Sequence, residues 1–480
     1  MSNIMAGLIE SANALNAFDQ VLQVTQNNVA NASTPGFAKQ RLQLSAEAFQ
    51  PPGLLGGVVA GAVESSRDEF AEQAVRRETT ALGQQQQLVA SLTSLQSVMD
   101  VSGTTGIPYA LNNFFQSVSA WSQTPSDKAA RQTVLARAAD VAQAIRNASA
   151  AVQRVGQDTD TQTRTTVNQV NQLVAQIQAY NHRVLQSGSA SYDSGMDASV
   201  HATLEQLSNL VDFSATHESD GTTTILLNGS TPLLIGDKQY ALTAGSISPA
   251  SPPALYANAP PQTQLLAADG TDVTAQTTGG QLGALLSVRN TILPSFQGDS
   301  SQVGSLNTLA QGLADRVNQL LTSGNISDGP PPQPGVPLFT YDNSNPVRVA
   351  TTLSVDPSVT PGQLAAISPG PPEVSNGVPL ALSQLANPTD PADEIDGFSF
   401  TQLYGNMAAD VGSQLQQAQN STQVQQSLVA QAQNQRQRVS GVDINEEAMI
   451  AVEFQRAYEA NSRLITVLDQ LTLDVINMLQ

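Results

Sequence analysis

Apolar residues near the start of the chain recur in alternating steps of four and three: Ile4, Leu8, Ser11, Leu15, Phe18, Leu22, Thr25 and Val29. That spacing marks the face of a helix packed on a partner. The turn STPG at 33–36 follows, and Pro35 and Gly36 continue a helix poorly, so the pattern predicts a first helix ending near Asn31. The same steps return at the other end through Ile450, Phe454, Ala457, Asn461, Leu464, Leu468, Leu471, Val475 and Met478. A second line runs one position over, through Ala451, Tyr458, Ile465, Thr472 and Leu479. Two adjacent lines widen the stripe enough to touch more than one neighbour. Asn461 is a polar seam residue and a candidate register device. Asp443, Glu446 and Glu447 supply an N-cap and an acidic first turn.

Between these arms the period of a helix appears twice more. Val134, Ala138, Val141, Ile145, Ala148, Val152 and Val155 form a stripe that fades into a Thr/Gln stretch and returns at Val170, Leu173, Ile177, Tyr180 and Val184. This reads as one helix of about 60 residues, opened by Pro125 at its first position with Thr124 as cap, and with Gly156 as the point where it can break. The segment 402–437 reads as its antiparallel partner, burying Leu403, Met407, Val411, Leu415, Ala418, Val424, Leu428 and Ala432. Elsewhere the alternation is that of strands. TTTILLNGSTPLLIG at 222–236 predicts two strands around an Asn-Gly turn, and VPLFTYD and VRVATTLSV at 336–355 read as further strands. Helices over 279–325 interrupt them. VVAGAVESS, which follows the glycines of 53–57, alternates as a strand.

Proline sharpens the division. Of 26 prolines, 21 lie from Pro232 to Pro391, and the last 89 residues have none. The expected fold is therefore multidomain α+β: long terminal helices with coiled-coil-like packing, an elongated helical-bundle domain and a β-rich outer middle region. The expected boundaries are 1–40 plus 441–480 for the terminal helical assembly domain. An elongated, mainly helical domain with a small strand segment takes 41–212 plus 395–440. A proline-rich, variable domain takes 213–394.

Charge narrows the partners. There are 20 basic and 40 acidic residues among 480, a formal net of −20. That argues against nucleic acid, whose phosphates are held by clustered Lys and Arg, and against an anionic membrane face. Charged residues are only 12% of the chain, so Gln, Asn, Ser and Thr carry the polar surface. There is no cysteine, hence no disulfide and no thiolate chemistry. No apolar stretch is long enough to span a bilayer, and the N-terminus lacks the basic start and cleavage site of a secretory signal peptide.

Candidate chemistry is thin. His182, His201 and His217 have no second ligand at HxxxH or HExxH spacing and read as surface or packed polar residues. The carboxylate groupings Asp220 with Asp237, and Asp393, Glu394 and Asp396, lack EF-hand spacing and read as solvated loops. GLLGGVVAG at 53–61 has no GK[ST], and no serine sits in a GxSxG context. No catalytic, cofactor-binding or metal-binding residue is expected, and no cofactor. The apolar arms carry the stronger signal, because an isolated helical pair is only marginally stable until further partners cover it.

The residues GLIESANALNAFDQVLQVTQNNVANASTPGFAKQR at 7–41 resemble the axial proteins of the bacterial flagellum. The core NNVANASTPGF places Asn27, Asn28, Ala30, Asn31, Thr34, Pro35 and Gly36 on the end of helix one and its turn. FFQSVSAWSQTPSDKAARQTVLARA at 114–138 narrows the likeness to the hook-associated protein 1 family, with Phe114, Phe115, Pro125, Ala130, Arg131 and Val134 at family positions. GGVVAGAVESSRDEFAEQAVRRE at 56–78, with Arg67, Asp68 and Phe70, and GGQLGALLSVRNTILP at 279–294 are similar too. So is the ending SGVDINEEAMIAVEFQRAYEANSRLI at 440–465, through Ser440, Gly441, Val442, Glu446, Glu447, Gln455, Ala457, Tyr458 and Ala460. Phe37 stands where Tyr is commoner, and Trp121 where the family usually has Leu.

The resemblance implies a structural, non-enzymatic protein of motility, joining hook to filament as a ring of subunits. Its partners would be copies of itself, the hook protein and hook-associated protein 3, with no nucleic acid and no membrane insertion. It would leave the cell by flagellar type III export after a cytoplasmic chaperone has held its C-terminal helix, and would end extracellular at the hook–filament junction. The N-terminal assembly residues would be Ile4, Leu8, Leu15, Phe18, Leu22, Val29, Asn31, Pro35 and Gly36. On the C-terminal helix, facing neighbours or chaperone, they would be Ile450, Phe454, Ala457, Tyr458, Asn461, Leu464, Leu468, Leu471, Val475 and Met478. Two alternatives stand beside this: a hook or rod axial protein, which shares the N-terminal motif but should lack 114–138, and a secreted hydrolase, which needs a convergent polar pocket.

Overall fold

The structure is a computed structural model that describes residues 2–48, 56–99, 104–187, 193–247 and 259–478. Leu479, the glycine-rich start at 53–55 and the proline-rich residues 248–258 lie outside the described residues. Helix α1 runs Ser2–Asn31 and stops at the predicted turn, where Gly36 takes φ +75°. Strands β1 (Gln40–Ala46) and β2 (Val58–Ser65) pair antiparallel, with an irregularity between Leu42 and Leu44. Helix α2 (Glu69–Val98) follows, opened by the Asp68 carboxylate accepting the Ala71 N–H. Next come α3 (Gly106–Gln123) and α4 (Lys128–Ser187).

The start of α4 differs from the expectation. Thr124 closes α3, its N–H donating to Trp121 O, and Asp127 accepts the Ala129 N–H just inside α4. Pro125 stays outside because its carbonyl is taken by Trp121 Nε1 and Arg131 Nε. The 60-residue helix does not break at Gly156. Through its polar stretch, buried Thr159 and Thr163 donate their hydroxyls to the carbonyls of Val155 and Thr159 one turn back, which satisfies these hydroxyls within the helix.

Helix α5 (Ser194–Leu210) is capped by Asp193, whose carboxylate accepts from the N–H groups of Gly195 and Met196. Strands β3 (Phe213–His217), β4 (Thr223–Leu227), β5 (Thr231–Ile235) and β6 (Lys238–Gln239) then form one antiparallel sheet in chain order. The predicted Asn-Gly turn joins β4 to β5, with φ +46° at Asn228 and +72° at Gly229, values these two residue types tolerate best. Strands β7 (Thr243–Ile247) and β8 (Gln262–Leu266) pair with each other.

The helices expected over 279–325 are α6 (Gly280–Ser287), a π-helical turn over Val288–Ile292, α7 (Leu293–Gln297) and α8 (Ser305–Ser323). Short strands β9 (Asn325–Ser327), β10 (Gln333–Pro334) and β11 (Phe339–Thr340) follow. The expected strand VRVATTLSV is a second correction: its centre is helix α9 (Val349–Thr352), leaving only β12 (Ser354–Val355) extended. Two asparagines decide it, because Asn345 caps the Val347 N–H and Asn307 Oδ1 accepts the Ala350 N–H. Helices α10 (Gly377–Gln384), α11 (Phe400–Ser440) and α12 (Ile444–Met478) complete the chain.

Contacts gather these elements into two units. One comprises 83–171 with 241–423 and holds the larger apolar core, in which Phe114, Trp121, Ile145, Phe400 and Tyr404 are fully enclosed. Phe115 stacks on Phe400 at 6.5 Å between ring centroids. Trp121, standing where the resemblance expected Leu, fills that core with its N–H satisfied by Pro125. The other unit comprises 1–82, 172–240 and 424–480. Its sheet is fixed to α4 by Asn181, fully buried, which accepts the Thr223 N–H and donates to the carbonyls of Thr223 and Gly236.

Candidate assembly interface

Helices α1 and α12 lie against each other inside the second of these units. Phe18 meets Phe454 with ring centroids 5.7 Å apart, and Asn461 Nδ2 donates to Ser11 O at 2.7 Å. An amide bonded to a carbonyl of the facing helix favours one register, so the half-buried Asn461 helps fix how the two helices align. Of the sequence-predicted residues on α1, Ile4, Leu8, Leu15, Phe18, Leu22, Asn31 and Gly36 are half-buried, while Val29 and Pro35 are exposed. The deepest positions are Ser11 and Thr25, both on the predicted stripe, with Ala17, Val21 and Asn28 beside it. They sink because α1 also packs on β1 and β2.

On α12 the predicted residues divide by face. Ile450, Phe454, Ala457, Asn461, Leu468 and Val475 are half-buried, a single line at helical period. Tyr458, Leu464, Leu471 and Met478 are exposed, Leu464 by 49% and Leu471 by 46%. Met449 and Val467, at 67% and 55%, sit one position before Ile450 and Leu468 and extend the same uncovered stripe. A solvent-facing row of Met449, Leu464, Val467, Leu471 and Met478 thus flanks the buried line along the helix. Exposed apolar side chains recurring along one side of a helix offer an interaction surface.

Where the two terminal helices meet the strands, a polar cluster ties them. Asn28 is 1% exposed; it donates to Gln40 O at 2.9 Å and to Glu447 Oε2 at 3.0 Å, and accepts the Gln40 N–H at 2.9 Å. Lys39 Nζ pairs with Glu446 at 2.9 Å and Glu447 at 3.1 Å, and its backbone N–H donates to Ser440 O. Ser440 Oγ in turn accepts the Asp68 N–H. Residues from both ends of the chain therefore share one set of hydrogen bonds. Sequence reasoning placed Asn28 in a family motif without a role and read Glu447 only as part of the acidic first turn of its helix. The available signal was a polar residue inside an apolar stripe.

Next to it a second charged group anchors the turn after α1. Arg67 donates to Gly36 O at 2.7 Å, to Asp197 at 2.6 Å and to Glu72 at 2.6 Å. A Cβ at Gly36 would stand 2.3 Å from Ala198 O, so the turn seats directly on α5. Arg436 Nη1 reaches Glu205 at 2.7 Å and Glu72 at 3.2 Å. Burial works against its charge, and the two carboxylates outweigh burial, holding its pKa above the ordinary value. His201 lies 3.6 Å from Asp197 and 3.9 Å from Glu69. Burial first, then the charges of Arg67, Arg76, His217 and Arg436, push its pKa down to about 2, so the ring is neutral.

The imidazole is neutral and enclosed, with no hydrogen-bond partner on Nδ1. His182 is 59% exposed in its side chain, and among the described residues no group of three or more His, Asp or Glu converges as a metal site. Asp220 accepts from Thr222, and Asp393 is held by Arg316 at 2.6 Å. The geometry brings helices and ion pairs together, and offers packing surface rather than reaction chemistry.

Comparison with known proteins agrees. A model of the flagellar hook-associated protein FlgK helical domain matches residues 92–339, just over half of the chain. A basal body rod FlgEFG C-terminal model matches 433–478, and a flagella basal body rod model matches 11–37. The chain is 24% identical to flagellar hook-associated protein 1 of Bacillus subtilis (strain 168) over 504 residues, covering 99% of both chains. It is 21% identical to flagellar hook-associated protein 1 of Escherichia coli (strain K12), covering 99% of this chain and 100% of the other. In fold it is similar to the flagellar hook junction protein FlgK of Burkholderia pseudomallei, with a TM-score of 0.60 at 17% identity, over 77% of this chain and all of that one.

Proposed function

Because the chain belongs to the FlgK family of flagellar hook-associated proteins, we propose that it is a non-catalytic structural adaptor of the bacterial flagellum, joining hook to filament as a ring of subunits assembled through their terminal helices. The observation that carries the reading is the uncovered stripe on α12. One face of that helix is occupied by α1, and the flanking row of Met449, Leu464, Val467 and Leu471 is exposed among the described residues. A neighbouring copy would cover it. The same row is the surface a cytoplasmic chaperone would hold before type III export, and the hook protein and hook-associated protein 3 are the axial partners above and below the ring.

The hook or rod alternative rests on the ends alone, where rod-protein models match. The match over 92–339 separates this chain from those proteins. The adaptor is extracellular in its working place, and no described helix is long and apolar enough to cross a membrane. Electron microscopy of cells lacking this protein tests the reading. Hooks without filaments, with filament subunits released into the medium, are expected. Missing hooks would assign the chain to the hook or rod, and normal filaments would remove it from the junction.

A further inference from the structure

The chain contains two Asn-Gly dipeptides, at 228–229 and at 376–377. The pair is chemically labile, because the backbone nitrogen after an asparagine can attack that residue's side-chain carbonyl carbon. Glycine, having no Cβ, leaves the approach open. What separates the two sites is how the fold holds the attacking nitrogen and the amide it attacks.

At 228–229 the hold is slight. Both residues are exposed at the tip of the β4–β5 hairpin, with φ +46° at Asn228 and +72° at Gly229. Among the described residues, neither the Asn228 side-chain amide nor the Gly229 N–H has a hydrogen-bond partner. Apart from its chain neighbours, no atom lies within 4 Å of where a Gly229 Cβ would stand, so the peptide has room to swing. The turn is closed by the Ser230 N–H on Leu227 O at 3.1 Å and by a longer bond, 3.4 Å, from the Asn228 N–H to Asp212 O. Exposed turns of this kind open locally without global unfolding.

At 376–377 the same groups are tied. Asn376 Nδ2 donates to Ser122 O at 2.9 Å, and the Gly377 N–H donates to Val374 O at 3.1 Å. A Cβ on Gly377 would stand 2.4 Å from Ser368 Cβ, so the peptide is packed as well as bonded. Rotation here breaks both hydrogen bonds before any ring can form.

We propose that Asn228 is a site of spontaneous deamidation and isoaspartate formation, and that Asn376 is protected from it by the fold. The Gly229 nitrogen gives up its proton and bonds to Asn228 Cγ, the Cγ–Nδ2 bond breaks, and ammonia leaves with the proton. Water then opens the succinimide ring at either carbonyl, so the net change is one water consumed and one ammonia released. Opening at the backbone carbonyl leaves the isoaspartyl form, with one extra atom in the main chain. A two-residue turn cannot absorb that atom, so the Ser230-to-Leu227 bond and the pairing of Leu227 with Thr231 are lost. The aspartyl form keeps the turn, since Asp-Gly suits the same positive φ values. Either product adds one negative charge to a chain of net −20. None of this depends on the assembly reading.

The test keeps the full chain folded in mildly alkaline buffer made with heavy-oxygen water, and holds a second sample in urea. Peptide mapping by mass spectrometry reads amide loss and label uptake at each asparagine, and isoaspartyl methyltransferase labelling reads the rearranged product. In the folded chain Asn228 should convert, with label, at least about tenfold faster than Asn376, the factor set by ~1.4 kcal/mol of additional hydrogen bonding. In urea the two sites should react at similar rates, because only the fold separates them. Material aged until isoaspartate accumulates at 228 should melt below the fresh chain. The Asn228→Asp variant should match the fresh chain in Tm and keep that Tm through the same ageing, which isolates the effect of this site. A folded chain that retains the Asn228 amide while the urea sample loses it, a folded Asn376 that reacts as fast as Asn228, conversion to the aspartyl form alone, or an aged chain with unchanged Tm would each overturn the proposal.

Discussion

Glu447 illustrates how single side chains hold the two ends of this chain together. It is 1% exposed and serves Lys39 and Asn28 at once. Removing its charge leaves Lys39 buried beside Glu446 only, whose side chain is half exposed. Glu447→Gln is therefore expected to cost about 3 kcal/mol, the range for a broken buried pair, read by urea denaturation. The double variant Lys39→Met with Glu447→Gln should recover part of that loss, because it no longer strands a charge. His201 acts in the opposite sense. Its folded pKa of about 2 lies below the unfolded value near 6.5, so the unfolded chain binds more protons between those limits. Its contribution is present above about pH 6.5 and is lost as pH falls, by at most about 1.4 kcal/mol per unit. His201→Gln should flatten the loss of stability between pH 7 and pH 5. An unchanged slope would show that His201 does not carry the acid response. Gly36 is limited by backbone rather than charge. With φ +75° and Ala198 O only 2.3 Å from a would-be Cβ, Gly36→Ala should cost at least about 2 kcal/mol and lower Tm.

Along α12 the same residue type has two roles, set by angular position. Phe454 meets Phe18 across the seam, whereas Leu464 and Leu471 face outward. Phe454→Asp should destabilise the monomer by about 2 kcal/mol, because it loses the Phe18 contact and sets a charge in a half-buried seam. Leu464→Asp and Leu471→Asp should change monomer stability by under about 0.5 kcal/mol and yet block incorporation at the hook tip. Incorporation by these variants at wild-type level would detach the stripe from assembly. The seam was legible in sequence because period alone defines it: Ile450, Phe454, Ala457, Asn461 and Leu468 repeat at steps that only a packed helix explains. The Asn-Gly turn at 228–229 was legible for a comparable reason, since the dipeptide suits positive φ. The start of α4 and the helix at 349–352 were not. Each turns on a side chain claiming a backbone group, Asp127 on Ala129 and Asn307 on Ala350, and the second of these partners is 43 residues distant. The polar cluster behind the interface was hidden for the same reason, the hydrogen-bonded Asn28 and Glu447 being 419 positions apart.

At the scale of the whole molecule, the proposed ring requires copies to approach despite like charge. A formal net of −20 sets up repulsion between subunits, while the outward row of α12 is apolar and gains from contact. The two terms respond oppositely to salt. Raising ionic strength shortens the Debye length from about 30 Å at 0.01 M to about 8 Å at 0.15 M, which weakens the repulsion and leaves burial of Met449, Leu464, Val467 and Leu471 almost untouched. Self-association of the purified chain should therefore strengthen between 0.01 M and 0.15 M sodium chloride, as measured by sedimentation velocity. The Leu464→Asp variant should stay monomeric across that range, because screening cannot replace lost apolar contact. Association that weakened with salt would mean that opposite charges, rather than the apolar row, join the copies. The contacts to examine would then be the exposed acids and arginines of α12, Glu453, Arg456, Glu459 and Arg463, rather than its leucines.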